Sequence, residues 1–180
     1  MFISQVIIHM GSNNSKTVHV VFRLVIALSI VLILSPSAFA KEVIGWVENV
    51  GVSSSNAIIK AKIDTGADSS SLHCECITPY ERDGEQWVRF SVTDINDQTI
   101  SYEKKVVRKV KVKRHFGEVQ RRLVVRMGIC IGDQYAETDV SLVDRSGFNY
   151  SMLIGRKYLK DKFIVDPDET FLSRPQCEVD

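Results

Sequence analysis

The feature that most constrains the fold is a succession of short β-type segments after Lys41, with little helical periodicity between them. Each segment either alternates apolar and polar residues or is rich in β-branched residues, and turn pairs such as Asp83-Gly84 and Gly132-Asp133 separate them. This spacing predicts an all-β domain, a small barrel or sandwich, with one helix over residues 155–162. The predicted strands are residues 43–50, 57–63, 87–92, 106–112, 123–131, 139–143 and 163–165.

The first forty residues are predicted to be an export signal. Lys16 and Arg23 form a basic region, residues 24–34 form an apolar core, and an A-x-A site ends at Ala40, where we expect cleavage. The alternative is an uncleaved anchor, but eleven apolar residues fall short of the roughly twenty needed to span a bilayer. We therefore expect a signal peptide at 1–40, one domain at 41–180, no membrane span after cleavage, and a periplasmic or secreted protein.

Charge in the predicted domain is balanced overall and uneven locally. Of the 23 basic residues of the chain, 21 lie after residue 40, against 22 acidic residues, so there is no general attraction to nucleic acid, which is not an expected partner. Residues 104–126, however, hold ten of those basic residues and one acidic residue, Glu118. This basic hairpin, with a turn near His115, is either a solvated face that discourages edge pairing or a surface that attracts an anionic substrate or envelope polymer.

Four cysteines in an exported chain suggest disulfide pairing. Cys74, Cys76, Cys130 and Cys177 allow three full connectivities, and we favour a bridge from Cys74 or Cys76 to Cys177. A zinc alternative takes His73, Cys74 and Cys76 as ligands, but it lacks a fourth ligand and matches no common spacing. We therefore predict no metal, and expect His73 to make a structural hydrogen bond.

Two separated segments carry the chemistry. Residues 63–68 read I-D-T-G-A-D, so an apolar β segment delivers Asp64 into a turn where Gly66 permits close backbone approach and the Thr65 hydroxyl can anchor the loop. Alone, this carboxylate could merely cap a turn. Met152 follows 88 residues after Asp64 and begins M-L-I-G-R, at the start of the predicted helix.

Together the two segments resemble those of the retropepsin-like aspartic endopeptidase family. Within it, the chain is most similar to a bacterial group often labelled "ATP-dependent zinc protease", through the I-G-W of 44–46, K-A-K-I-D-T-G-A of 60–67, S-L-H of 71–73 and L-I-G-R of 153–156. The residues do not support that label, because the chain has neither H-E-x-x-H nor a G-x-x-x-x-G-K-S/T phosphate loop. The resemblance covers about 43–172 and implies a small closed acid-protease barrel with one short C-terminal helix.

The resemblance also implies roles for individual residues. Asp64 matches the catalytic aspartate, with Thr65, Gly66 and Ala67 supporting its loop, and Arg156 matches an arginine that forms an ion pair with the residue at Asp68. Substrate-binding candidates at the tip of the basic hairpin are His115, Phe116 and Gly117.

Aspartic-protease chemistry needs two carboxylates about 3 Å apart that share one proton. The chain has one D-T-G, and we interpret the D-R-S-G of residues 144–147 as a structural turn. The second carboxylate is therefore expected from another copy, in a homodimer.

The sequence thus predicts an exported aspartic endopeptidase that acts on a peptide or protein substrate, with a water activated by the dyad of Asp64 carboxylates and no cofactor. One alternative is a catalytically silent envelope module that binds a peptide or polymer on the same fold. The other is a zinc-dependent hydrolase with metal at His73, Cys74 and Cys76.

Overall fold

The structure is a computed structural model that describes residues 40–52, 57–112 and 119–177. Ten strands and one short helix form this described part. The elements are β1 (Glu42–Val52), β2 (Ala57–Ile63), β3 (Ser70–His73), β4 (Glu75–Arg82), β5 (Glu85–Thr93), β6 (Thr99–Val112), β7 (Gln120–Ile131), β8 (Gln134–Val143), β9 (Met152–Ile154), α1 (Arg156–Leu159) and β10 (Phe163–Thr170).

All ten strands belong to one hydrogen-bonded sheet, in the order β10-β1-β2-β9-β3-β8-β7-β6-β5-β4. The end of β1 also pairs with β7, through Gly51 with Cys130 and Val52 with Ile129, so the sheet closes partly into a ring. The prediction of an all-β fold with one short C-terminal helix is confirmed. Closure rests on this short pairing, because β10 and β4 remain as edges of the sheet.

Alternation along the strands explains which side of the sheet forms the core. In β2, Ala57, Ile59, Ala61 and Ile63 are buried, while the residues between them are partly or fully exposed. Equivalent inward positions on the other strands, together with Tyr158 of α1, complete one hydrophobic cluster, whose strand residues include Ile44, Val50, Leu72, Phe90, Val125, Met127, Ile129, Val140, Met152 and Ile154. Because the last of these β2 residues is in the core, the next residue, Asp64, emerges at the rim.

The seven predicted strands are all found, within β1, β2, β5, β6, β7, β8 and β10. The structure adds β3, β4 and β9 and extends β6 and β8 toward their N-termini. The predicted helix over 155–162 is too long, since α1 contains only four residues. It ends because Lys160 leaves the helical conformation (ψ 134°) and Asp161 adopts a positive φ of 67°.

The predicted disulfide partner of Cys177 is wrong. Cys177 is bonded to Cys130, with their Cα atoms 6.0 Å apart. Cys74 is a free thiol in the core and Cys76 a free, exposed thiol.

A buried carboxylate explains this pairing. Glu48 on β1 is fully buried and accepts hydrogen bonds from Leu172 N (3.0 Å), Ser173 N (3.1 Å) and Ser173 Oγ (3.0 Å). These bonds hold the C-terminal tail against β1, and Gln176 N then donates to Gly132 O (2.8 Å) beside the end of β7. The tail is thereby directed to Cys130.

Two predicted features fall outside the described residues. These are the export segment, up to residue 39, and the hairpin tip at 113–118, with His115, Phe116 and Gly117. The assignments made for them stay predictions. Among the residues that are described, no helix is long and apolar enough to cross a membrane.

Candidate active site

The D-T-G-A loop begins where two parallel strands end together. Ile63 on β2 pairs with Ile154 on β9, and Asp64 N donates to Ile154 O at 2.8 Å. The two segments singled out in the sequence are therefore neighbours in the sheet. Asp64 is partly buried, whereas Thr65 and Gly66 are exposed.

The loop itself orients the Asp64 carboxylate. Oδ1 accepts hydrogen bonds from Gly66 N (2.9 Å) and Ala67 N (3.2 Å). A Cβ on Gly66 would lie 3.1 Å from the same oxygen, so a side chain there would crowd the carboxylate. No donor in the described part of the chain bonds to Oδ2, and this oxygen is available to water or to a second carboxylate.

The start of α1 holds the loop from behind. Arg156 N donates to Ala67 O (2.9 Å) and Lys157 N to Asp68 O (3.1 Å). The Arg156 side chain donates from Nη1 to Thr65 O (3.0 Å) and Gly66 O (2.8 Å). The carbonyls of four consecutive loop residues are thus bonded to two residues of the helix.

The predicted ion pair between Arg156 and Asp68 is replaced by another. Lys157 Nζ lies 2.7 Å from Asp68 Oδ2, while the Arg156 guanidinium is directed to the loop carbonyls. The hydrogen bond from Lys157 is the main cause that lowers the pKa of Asp68, and the charges of Arg156 and Arg108 act in the same direction. Arg156 therefore supports the site, but through the backbone of the loop.

Gly155 is required by close packing against the residue that follows the loop. A Cβ at this position would lie 2.6 Å from the carbonyl carbon of Ser69 and 2.7 Å from its oxygen. Gly155 N also donates to Ser70 Oγ at 3.2 Å. The glycine of the L-I-G-R segment is thus explained by contact with the backbone.

Residues 144–147 form the predicted turn, in which Ser146 N donates to Asp144 Oδ1 at 2.9 Å. The prediction for His73 is also confirmed, since its Nδ1 accepts a hydrogen bond from Arg145 N at 2.9 Å. The sequence did not identify the Arg145 side chain, which donates from Nε to Tyr150 O (3.1 Å) and from Nη1 to Ser71 Oγ (3.2 Å).

Arg145 is electrostatically coupled to the catalytic candidate. Burial lowers the pKa of Arg145, and the negative charge of Asp64 acts in the opposite direction. The two side chains are therefore close enough for their charges to interact. No signal in the sequence indicated this, because it depends on the Arg145 side chain reaching from the turn after β8 to Ser71, on the strand that follows the loop.

The ligands of the zinc alternative are not arranged as a metal site. Burial raises the pKa of the Cys74 thiol to about 12, which disfavours the thiolate that zinc binds, and Cys76 is exposed on β4. In the regions that the structure describes, no group of three or more His, Cys, Asp or Glu side chains could hold a metal ion.

A cavity of about 540 Å³ lies on the outer side of the loop, next to α1 and β10. Thr65, Asp68 and Arg156 contribute to its wall, together with Leu159 and Phe163. The exposed part of the loop thus opens into a recess with both charged and apolar walls.

The described arms of the basic hairpin, β6 and β7, are only partly neutralised. Arg126 and Arg108 both bind Asp139 on β8, at 2.7 and 3.3 Å, and together they lower its pKa although burial alone would raise it. Lys109 and Lys111 are exposed, with no acidic partner among the described residues. Since the charge of Arg108 also lowers the pKa of Asp68, this part of the hairpin is within electrostatic reach of the D-T-G-A loop.

A D-T-G-A loop at the end of one strand, held by a Gly-Arg segment after a neighbouring strand in a partly closed all-β sheet, defines a retropepsin-like protein. The model of the RimB-like family, described as "Retropepsin-like aspartic endopeptidase RimB", matches residues 43–176. The chain belongs to this family.

Relatives and a solved structure agree with this assignment. The chain is 35% identical over 125 residues to a probable alpha-L-glutamate ligase of Shewanella halifaxensis, and 34% identical over 113 residues to one of Parasynechococcus marenigrum. These matches cover 68% and 61% of this chain but only 27% and 24% of the relatives, so the chain spans about a quarter of their length.

A crystal structure of Lpg0085, a Legionella pneumophila protein of unknown function, superposes with a TM-score of 0.65 at 34% identity. The match covers 75% of this chain and all of the Lpg0085 chain.

Proposed function

We propose that the protein is an aspartic endopeptidase whose active site forms between two copies of the chain. The observation that carries this proposal is the geometry of Asp64, whose Oδ1 is fixed by two backbone N–H groups while Oδ2 stays available. Each chain supplies one such loop, and hydrolysis by a carboxylate dyad needs two. Exposure of Thr65 and Gly66 beside Asp64 supports a two-fold contact at the loop.

The chemistry follows from two carboxylates that share one proton. The ionised Asp64 takes a proton from water, whose oxygen attacks the peptide carbonyl carbon, and the protonated Asp64 gives its proton to the carbonyl oxygen. The tetrahedral intermediate then collapses as the ionised carboxylate takes a hydroxyl proton, the C–N bond breaks, and the protonated carboxyl gives its proton to the leaving nitrogen, which restores the singly protonated dyad. Activity should decline at alkaline pH, when the dyad loses its shared proton. No metal or other cofactor enters these steps.

The substrate is proposed to be an acidic, glutamate-containing peptide or protein. Two observations support this. First, the chain matches about a quarter of the length of relatives that are named probable alpha-L-glutamate ligases. A similar segment therefore occurs in proteins that are named for joining glutamate. The exposed lysines of β6 would attract such a chain electrostatically. Because the sequence begins with a predicted export signal, we place the reaction in the periplasm or outside the cell.

Digestion of a peptide library tests the activity. Purified mature protein should cut library members at defined bonds, with acidic peptides enriched among the products, and Asp64→Asn should reduce turnover to background. A chelator should leave the rate unchanged. Sedimentation of both proteins should give the same dimer, which makes the variant a matched control for folding and assembly.

Three results would contradict the proposal: equal turnover by Asp64→Asn, loss of activity with chelator, or full activity from a strictly monomeric protein. The basic hairpin favours one alternative, a module that binds an acidic peptide without cutting it. In that case both proteins would retain the same peptides on a column and release them intact.

A further inference from the structure

Arg145 is a partly buried cation with unused hydrogen-bonding capacity, and it is bonded to Ser71 on β3, the strand that follows the D-T-G-A loop. Its Nε and Nη1 groups donate to Tyr150 O and Ser71 Oγ, so the direction of the guanidinium is fixed by one backbone and one buried side-chain acceptor. Nη2 donates no hydrogen bond to any residue that the structure describes. A guanidinium can bind a carboxylate through two parallel N–H groups, and this one retains free donors.

The surroundings of Arg145 hold the guanidinium plane in place without neutralising it. The guanidinium carbon lies 4.6 Å from the centre of the Phe148 ring, and that ring is 62% exposed. A cation stacked on an aromatic face keeps its edges free for hydrogen bonds. No carboxylate among the described residues forms a salt bridge with Arg145, although the charge of Asp64 reaches it.

We propose that Arg145 is a specificity-determining residue, which binds a carboxylate side chain of the peptide substrate close to the scissile bond. The inference rests on the proposed function and deepens it, because it names the residue that selects an acidic substrate. It differs from the role of the basic hairpin, which would attract an acidic chain over a distance and without regard to register.

An acidic substrate presents a physical problem that Arg145 resolves. A dyad that shares one proton carries one negative charge, and it repels a carboxylate placed next to the cleaved bond. A fixed cation between them offsets this repulsion and, through paired hydrogen bonds, favours glutamate over its uncharged isostere glutamine. The hydrogen bonds to Ser71 and Tyr150 position the cation before the substrate arrives, which reduces the entropy lost on binding.

The test compares matched peptides and matched variants. A peptide cut by the parent is made in pairs that differ only by Glu or Gln at each position around the cleaved bond, and kcat/KM is measured for the parent, Arg145→Gln and Arg145→Lys. Arg174→Gln is the control for net charge, because Arg174 is exposed on the C-terminal tail. Affinity of the same peptides is also measured by fluorescence anisotropy on Asp64→Asn, with and without Arg145→Gln.

At one position the parent should prefer Glu to Gln by about 10- to 100-fold, as expected for a charge-assisted hydrogen-bonded pair. Arg145→Gln should abolish that preference by slowing only the Glu peptide. Arg145→Lys should retain part of it, and Arg174→Gln all of it.

Equal loss on both peptides would overturn the inference, since it would mean that Arg145 only supports the loop. If that equal loss came with a shifted pH profile, the support would act on Asp64 itself. An unchanged preference in Arg145→Gln would also overturn the inference. The anisotropy measurement separates this inference from the proposed function. If no peptide is cut, the proposed endopeptidase activity is refuted. The inference about Arg145 is then decided by binding alone: a preference for the Glu peptide that depends on Arg145 would support it, and the lack of such a preference would overturn it.

Discussion

Replacement of Gly155 by alanine should damage the active site more than the fold. The new Cβ would lie 2.6 Å from the carbonyl carbon of Ser69, about 0.8 Å short of ordinary contact, and all three of its nearest neighbours are backbone atoms. Because no flexible side chain can move away, the segment that joins the loop to β3 must shift. Overpacking of this kind costs about 1–3 kcal/mol, which corresponds to a fall in Tm of about 3 to 10 °C for a domain of this size.

Activity should be more sensitive than stability, because Ser69 follows directly on the loop that orients Asp64. A displacement approaching 1 Å can cost about 100-fold in rate, so kcat/KM for Gly155→Ala should fall by about that factor at a temperature well below its Tm. Gly147→Ala is the matched control, since a Cβ there would meet nothing within 4 Å. Parent-like kcat/KM and Tm in Gly155→Ala would refute the argument that backbone contact requires this glycine.

Three further predictions concern the tail and the back of the loop. Replacing both Cys130 and Cys177 by serine removes a disulfide that closes a loop of 47 residues, and it should lower the free energy of unfolding in urea titrations by about 4 kcal/mol. An unchanged urea midpoint would show that the disulfide contributes nothing to stability. Arg156→Ala removes two hydrogen bonds to loop carbonyls, worth about 1–2 kcal/mol together, and sedimentation equilibrium should detect a proposed dimer weakened by about 5- to 30-fold, with Arg156→Lys intermediate. The pKa of Asp68 is lowered by its hydrogen bond to Lys157, so this bond stabilises the fold above the ordinary pKa of 3.8 and is lost as the pH falls through the lower pKa of the folded state. The Tm difference between the parent and Lys157→Gln should therefore vanish in acid rather than in alkali.

The sequence predicted those strands that alternate over several residues, such as β2 and β7, because burial of one face imposes that pattern. It missed β3 and β9, which have four and three residues. Strands this short carry no measurable periodicity, and here they exist because each is hydrogen-bonded on both sides, β9 between β2 and β3, and β3 between β9 and β8. It also missed β4, whose residues are mostly exposed on both sides at the edge of the sheet. Strand β4 is held by backbone pairing to β5 rather than by burial.

The candidate site, like the set of strands, could be predicted from the sequence only in part. Asp64 and its loop could be predicted because the residues that fix the carboxylate, Gly66 and Ala67, are adjacent in sequence. The position of Arg145 could not, since it meets Ser71 only after β3 inserts between β8 and β9. The predicted disulfide partner of Cys177 was wrong for the same reason, because the path of the C-terminal tail depends on the buried carboxylate of Glu48.

The shortness of α1 is explained by what its first residues do. The first N–H groups of any helix have no partner within the helix, and here those of Arg156 and Lys157 bond to the carbonyls of Ala67 and Asp68. The Arg156 side chain donates to the two preceding carbonyls, so the carbonyls of the D-T-G-A loop are hydrogen-bonded before the helix completes a second turn. Further turns would add no contact to the loop. The contacts that hold the loop therefore come from Gly155, Arg156 and Lys157 and do not require a longer helix.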